Sequence, residues 1–256
     1  MNYNYHTHTF RCAHASGTEE EYIQRALSGG IRYMGFSDHA PFRYADGFEA
    51  NYRVPMAQVE DYFCTLRGLR EKYREKIDLK IGFEMEYYPE YFTQMLENVR
   101  QMGTEYLILG QHFLQPEHPV VEPTSAQYED PAKVEKFVDL VIGAVETGAF
   151  TYVAHPDILN FTGPEEAYAA QVRRLCEASK RLQIPLEVNF LGIRESRKYP
   201  RDDFWQIAGE VGSPVTFGFD AHDVPSAWDS ASLEKAKEIV ARFGLNYIGR
   251  PTLRAL

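Results

Sequence analysis

Short apolar, β-rich runs alternate with longer amphipathic stretches along this whole chain, and that alternation restricts its fold more than any other feature. Candidate strands run from Asn2 to Tyr5, Ile31 to Phe36, Leu79 to Phe83, Tyr106 to Leu109, Phe150 to Ala154, Pro185 to Asn189 and Pro214 to Phe219. Helical periodicity occupies about Thr18 to Ser28, Met56 to Lys76, Glu90 to Met102, Pro131 to Thr147, Pro164 to Leu182, Asp202 to Val211 and Ala231 to Phe243. Thr18, Pro131 and Pro164 are suitable openers, and Gly29-Gly30, Gly103, Gly148 and Gly212 fall where helices would stop. Strands covered by helices on both faces are apolar throughout and pair in parallel. A closed seven-unit barrel is therefore expected, with an open doubly wound sheet as the alternative that alternation alone leaves standing. No Pro/Gly/Ser-rich linker divides the 256 residues, so residues 1–256 are expected to form one domain.

Composition narrows the class of partner. No apolar run approaches the roughly 18 residues that a membrane span needs; the best stretch, Phe137 to Val145, is short and contains Asp139. The first residues lack the basic and apolar regions of a signal peptide, so a cytoplasmic location and no membrane partner are expected. Cys12, Cys64 and Cys176 are odd in number and show no Cys-x-x-Cys spacing, which argues against a disulfide framework or a thiolate zinc site. The formal net charge of -10 works against binding a nucleic-acid backbone and favours a small substrate. Bound divalent metals would reverse that charge locally.

The positions of the histidines are informative. His6 and His8 follow the first candidate strand, His39 the second, His112 the fourth, His155 the fifth and His222 the seventh; Glu84 and Glu86 follow the third, and Asp220 lies just before His222. The carboxyl ends of parallel strands form one face of an α/β fold, so residues scattered over the sequence should converge on one rim. His14, in the first loop, can bend back to it. Alternation puts both imidazoles of His6-x-His8 on one side of the chain, as chelation of an ion requires. Imidazole with carboxylate is a ligand set for zinc, iron or manganese. Only His118, in a polar loop between prolines, has no reason to be on the rim.

Seven motifs follow in order: HTHT at 6–9, CAH at 12–14, SDHAP at 37–41, GFEMEYYP at 82–89, GQHF at 110–113, AHPD at 154–157 and FDAH at 219–222. Together they resemble the PHP (polymerase and histidinol phosphatase) superfamily, and within it the histidinol-phosphatase group, to which Glu187-Val-Asn189 and Gly192-Ile-Arg194 also point. The resemblance implies a distorted (β/α)7 barrel, two to three divalent ions (Zn, Fe or Mn), and hydrolysis of a phosphate monoester, with histidinol phosphate in histidine biosynthesis as the substrate. It places His6, His8, Glu84 and Asp220 on one ion, Glu84, His112 and His155 on a second, and His14, His39 and His222 on a third. Glu84 would bridge two ions, since a carboxylate has two oxygens to offer. Catalysis would fall to Glu84, Asp220, His222 and Asp38.

Other residues carry narrower expectations. Arg194 and Arg197, in the loop after strand six, could fork onto phosphate oxygens, Arg194 foremost. That loop, Ile-Arg-Glu-Ser-Arg-Lys, and Asn189-Phe190 in place of the family's Asn-Thr are where the sequence departs from the pattern. Asp38 is expected to orient a histidine. Cys12 is expected to be a small buried thiol. Glu86 is expected to point away from the pocket if the strand continues, or to meet a substrate ammonium if it has ended. Another small phosphate ester is an alternative substrate, a nucleic-acid diester a weaker one, and a non-catalytic binding module the reading from outside enzymology.

Overall fold

In the computed structural model, which describes residues 1–256, the seven expected strands are all present: β1 (Tyr3–Asn4), β2 (Tyr33–His39), β3 (Asp78–Met85), β4 (Tyr106–Leu109), β5 (Phe150–Val153), β6 (Leu186–Asn189) and β7 (Pro214–Gly218). They pair in parallel and in chain order. An eighth strand, β8 (Asn246–Tyr247), was not foreseen. It has two residues, too few for any periodicity to register, and pairs in parallel with Pro214 and Val215 at the start of β7. At the opposite end of β7 the chain meets the extension of β1: Thr7 bridges Ala221, with His8 N donating to Ala221 O at 3.0 Å and Ala221 N to His6 O at 3.3 Å. The sheet thus curls into a distorted barrel joined at its carboxyl rim, which removes the open doubly wound alternative, whose strand order would reverse at a switch point.

The helices are α1 (Glu19–Ser28), α2 (Val59–Tyr73), α3 (Phe92–Met102), α4 (Pro131–Glu146), α5 (Glu165–Leu182), α6 (Phe190–Arg194), α7 (Asp202–Val211) and α8 (Ser230–Phe243). Local chemistry explains their starts. Thr18 and Glu21 form a reciprocal capping box on α1, while Asp130 caps α4 ahead of Pro131. The five-residue α6, where the sequence predicts a loop, is too short for a 3.6-residue pattern; Asn189 caps it by accepting from Gly192 N at 3.1 Å. Tyr3, Tyr5, Tyr106, Ile108, Tyr152 and Ala154 form a small buried cluster in the barrel, separate from the large core between strands and helices. No helix is long and apolar enough to cross a membrane.

Candidate metal centre

Glu84 is the middle of the site. It is buried near the end of β3, in register with His39 on β2, and its two carboxylate oxygens face different histidines. Oε1 lies 2.9 Å from His155 Nε2 and 3.4 Å from His112 Nε2. Oε2 lies 3.5 Å from His6 Nε2, 3.4 Å from His8 Nε2 and 3.3 Å from His39 Nδ1. Asp220 Oδ1 approaches the same group, 3.5 Å from His6 Nε2, 3.3 Å from His8 Nε2 and 3.3 Å from His222 Nδ1. His14, reaching in from the first loop, has its Nε2 3.1 Å from His222 Nε2. Every residue proposed as a ligand from the sequence therefore joins one cluster.

The donor set fits metal ions. His6 Nε2, both nitrogens of His8, His39 Nδ1, Glu84 Oε2 and His155 Nδ1 are buried without a hydrogen-bond partner, although buried polar atoms are nearly always satisfied. Donor atoms of His14, His39 and His222 lie within 4.8 Å of one another, as do those of His6, His8 and Glu84, of His6, His155 and Asp220, and of His39, Glu84 and His112. Burial opposes ionisation of Glu84, but the surrounding imidazoles, His112 and His6 first, outweigh it and hold the carboxyl well below its usual range. Asp220 behaves likewise, burial being overcome by His6, His222 and His8. His39 is driven well below the usual imidazole range by burial and by neighbouring His8.

Two backbone features aim these groups inward. His155 (φ 31°) and Asp220 (φ 48°) adopt left-handed conformations that side-chain-bearing residues avoid, at a cost of about 1–3 kcal/mol each. Two glycines leave room for carboxylates. A Cβ on Gly110 would come within 1.9 Å of Glu84 Oε1, and one on Gly218 within 1.7 Å of Glu187 Oε1.

Around the cluster, hydrogen bonds orient the rings. Glu187 Oε1 lies 2.9 Å from His6 Nδ1, and its Oε2 accepts from His155 N at 3.1 Å and Asn189 Nδ2 at 2.8 Å. Glu86 Oε1 lies 2.9 Å from His112 Nδ1. Each pairing sets the ring so that Nε2 faces Glu84. Sequence reasoning assigned neither role. For Glu187 the available signal was a carboxylate between Leu186 and Val188 in a buried strand. For Glu86 the expectation of an outward side chain was an error: alternation puts residues two apart on the same side, β3 ends at Met85, and the buried carboxylate meets His112 and Arg53 instead of solvent or an ammonium. Asp38 lies beneath the cluster, accepting from Thr9 N at 3.0 Å and His39 N at 2.9 Å, with Oδ1 3.5 Å from His8 Nδ1.

A cavity of about 420 Å³ opens above the cluster, walled by Tyr52, Phe113, Ile158, Leu191 and Tyr199, with Glu195 and Arg197 also on its lining. Arg194 does not line it. Its guanidinium is paired with Asp229 at 3.0 Å and donates to the Asp220 carbonyl at 3.3 Å, so the foremost candidate for phosphate is turned to the protein, and Arg197 faces the cavity in its place. Arg194 is the last residue of α6, whereas Arg197 lies beyond the helix end, past Glu195 and Ser196, whose φ of 51° turns the chain. Cys12 is fully buried and donates to Thr9 O at 3.1 Å; burial pushes its thiol up to about 12. His118 is outside the cluster, stacked on Phe48 at 4.2 Å and 2.6 Å from Asp46 Oδ2.

Comparison with known proteins agrees with this architecture. The chain is 28% identical over 226 residues to a "Probable histidinol-phosphatase" of Deinococcus radiodurans, covering 85% of each. It is 25% identical over 258 residues to the histidinol-phosphatase of Bacillus subtilis, covering 88% of this chain and 96% of that protein. Its fold matches the crystal structure of histidinol phosphate phosphatase from Lactococcus lactis, complexed with zinc, L-histidinol and phosphate, with a TM-score of 0.72 at 17% identity over 96% of this chain and 95% of that one. The model of the PHP domain matches residues 4–190, a span that takes in the histidines of the first five strands, and on that match the chain belongs to the PHP domain family.

Proposed function

We propose that this protein is a metal-dependent phosphate monoesterase that hydrolyses histidinol phosphate to histidinol and phosphate. The observation that carries the reading is the Glu84-centred cluster, with its orphaned buried donors, forming the floor of a cavity large enough for a small metabolite. Its ligands would be His6, His8, Glu84 and Asp220 for one ion, Glu84, His112 and His155 for a second, and His14, His39 and His222 for a third, with zinc, iron or manganese as the chemically suited metals. When bound, such ions neutralise phosphoryl oxygens and acidify water.

The chain's own residues supply the rest. Glu84 presents one oxygen to each half of the cluster, and Glu187 and Glu86 hold His6 and His112 in ligating orientation. Asp38 anchors the His8–His39 side through backbone donors. Tyr52, Phe113 and Ile158 flank the space above and restrict water. With phosphate on the floor, within reach of Arg197, the imidazole and ammonium of histidinol phosphate would extend toward these aromatics and Glu195. Names of relatives in the histidinol-phosphatase group support this substrate over other small esters. The test is phosphate release by metal-replete protein from a panel of phosphorylated amino alcohols, sugars and a nucleic-acid diester. Histidinol phosphate should give the highest kcat/KM, and a diester turned over faster would overturn the reading.

A further inference from the structure

Arg53, on the loop between β2 and α2, is 1% exposed and is not on the cavity lining. Removing a guanidinium from water costs several kcal/mol, and the surroundings show what offsets it. Nε donates to Glu117 Oε1 at 2.7 Å, Nη1 donates to Ala40 O at 2.9 Å, and Nη2 lies 2.8 Å from Glu86 Oε2. Both carboxylates are buried, and they come from the loops after β4 and β3. Two of these contacts, those with Glu86 and Ala40, lead toward the metal centre. Glu86 uses its other oxygen to hold His112 Nδ1 at 2.9 Å. Ala40 follows His39 directly, and Val54, next to Arg53, donates its N–H to His39 O at 3.1 Å. The Arg53 guanidinium also lies 5.1 Å from the ring of Tyr52, which packs 5.4 Å from His39 and lines the cavity.

We propose that Arg53 is a positioning residue for the metal centre: by holding Glu86, Ala40 and Glu117 together, it fixes His39 at the end of β2 and His112 in the loop after β4, which would serve neighbouring ions, in their ligating positions. This rests on the proposed function only in taking those two histidines as ligands. A planar fork donates in fixed directions to Glu117 and Ala40 while its charge faces Glu86; an ammonium on a flexible stem cannot reproduce that geometry. Loss of the guanidinium leaves Glu86 a buried charge held only by an imidazole, and the His112 ring loses its fixed support.

The experiment compares wild type with Arg53→Lys, Arg53→Met and Glu86→Gln, measuring cobalt stoichiometry, chelator-competition affinity and the visible cobalt spectrum, with apo-protein Tm recorded alongside. Partners of metal-bound histidines typically contribute 10–100-fold in metal affinity. Arg53→Lys and Glu86→Gln should each weaken at least one bound ion by about that factor and alter its spectrum, while the ion on the His6–His8 side keeps wild-type affinity. Arg53→Met should lose the weakened ion; if it fails to fold, the other two variants carry the test. Unchanged affinity and spectra in folded variants would overturn the proposal, as would equal weakening of every ion in step with apo Tm. Wild-type protein that binds metal without hydrolysing histidinol phosphate would instead contradict the proposed function and leave the Arg53 comparison valid.

Discussion

Glu84 carries two roles in one side chain, a charge and a pair of oxygens turned toward different imidazoles. Glu84→Gln keeps the volume and removes the charge, so it should lower kcat by at least about 100-fold, the scale on which displaced metal-site groups act, with metal content reduced. Wild-type kcat would show that the carboxylate is not shared. The two arginines after β6 should behave differently. Arg197→Ala should raise KM for histidinol phosphate several-fold at constant metal content, whereas Arg194→Ala, which frees Asp229 and the Asp220 carbonyl, should loosen metal binding and leave KM for the replete enzyme nearly unchanged. The reverse pattern in steady-state kinetics and metal analysis would restore Arg194 to the phosphate. His118→Ala should retain full metal and activity, at a stability cost of about 1 kcal/mol for its ring contacts; loss of metal would contradict its place beside Phe48 and Asp46. The clustered histidines were legible because a histidine at a strand end is conspicuous. Glu187 and Glu86 were not, since a carboxylate that orients a ring has no spacing of its own, and the direction of Arg194 was not, since its partners Asp229 and the Asp220 carbonyl are distant in sequence.

At the scale of elements, β7 and β4 succeed through glycines that leave space for side chains from neighbouring strands. Gly218→Ala would drive a methyl into Glu187, which holds His6. Overpacking of this kind costs about 1–3 kcal/mol, so urea denaturation should show that loss together with weaker metal retention; a stable variant with normal metal affinity would mean that Glu187 has room to move. The strands and long helices were legible because burial on both faces makes the strands largely apolar and several helices, such as α1 and α4, carry their own start chemistry. Element ends were less so. His39 and Glu84 turned out to lie within β2 and β3 because backbone pairing continues to the rim, and Met56–Gln58 forms a separate tight turn ahead of α2. The two-residue β8 depends on its partner strand for its existence, and no local pattern could announce it.

For the whole molecule, the barrel turns a dispersed set of residues into one site: ligands separated by more than two hundred positions meet because the extensions of β1 and β7 are bridged through Thr7 and Ala221. A net charge of -10 is compatible with an anionic substrate because bound cations reverse the field at the cavity floor. Ions that bind the folded state alone also stabilise it, by about 2.7 kcal/mol at a hundredfold excess over Kd, so chelation should lower Tm as well as activity. The central claim is that the Glu84 cluster is a metal centre for monoester hydrolysis. The most direct measurement is stepwise addition of metal to chelated protein, with bound ions and histidinol phosphate turnover read on the same samples. Turnover should be absent from the apo protein and rise with occupancy to a plateau at two to three ions per chain, whereas full turnover at less than one ion per chain would contradict the account.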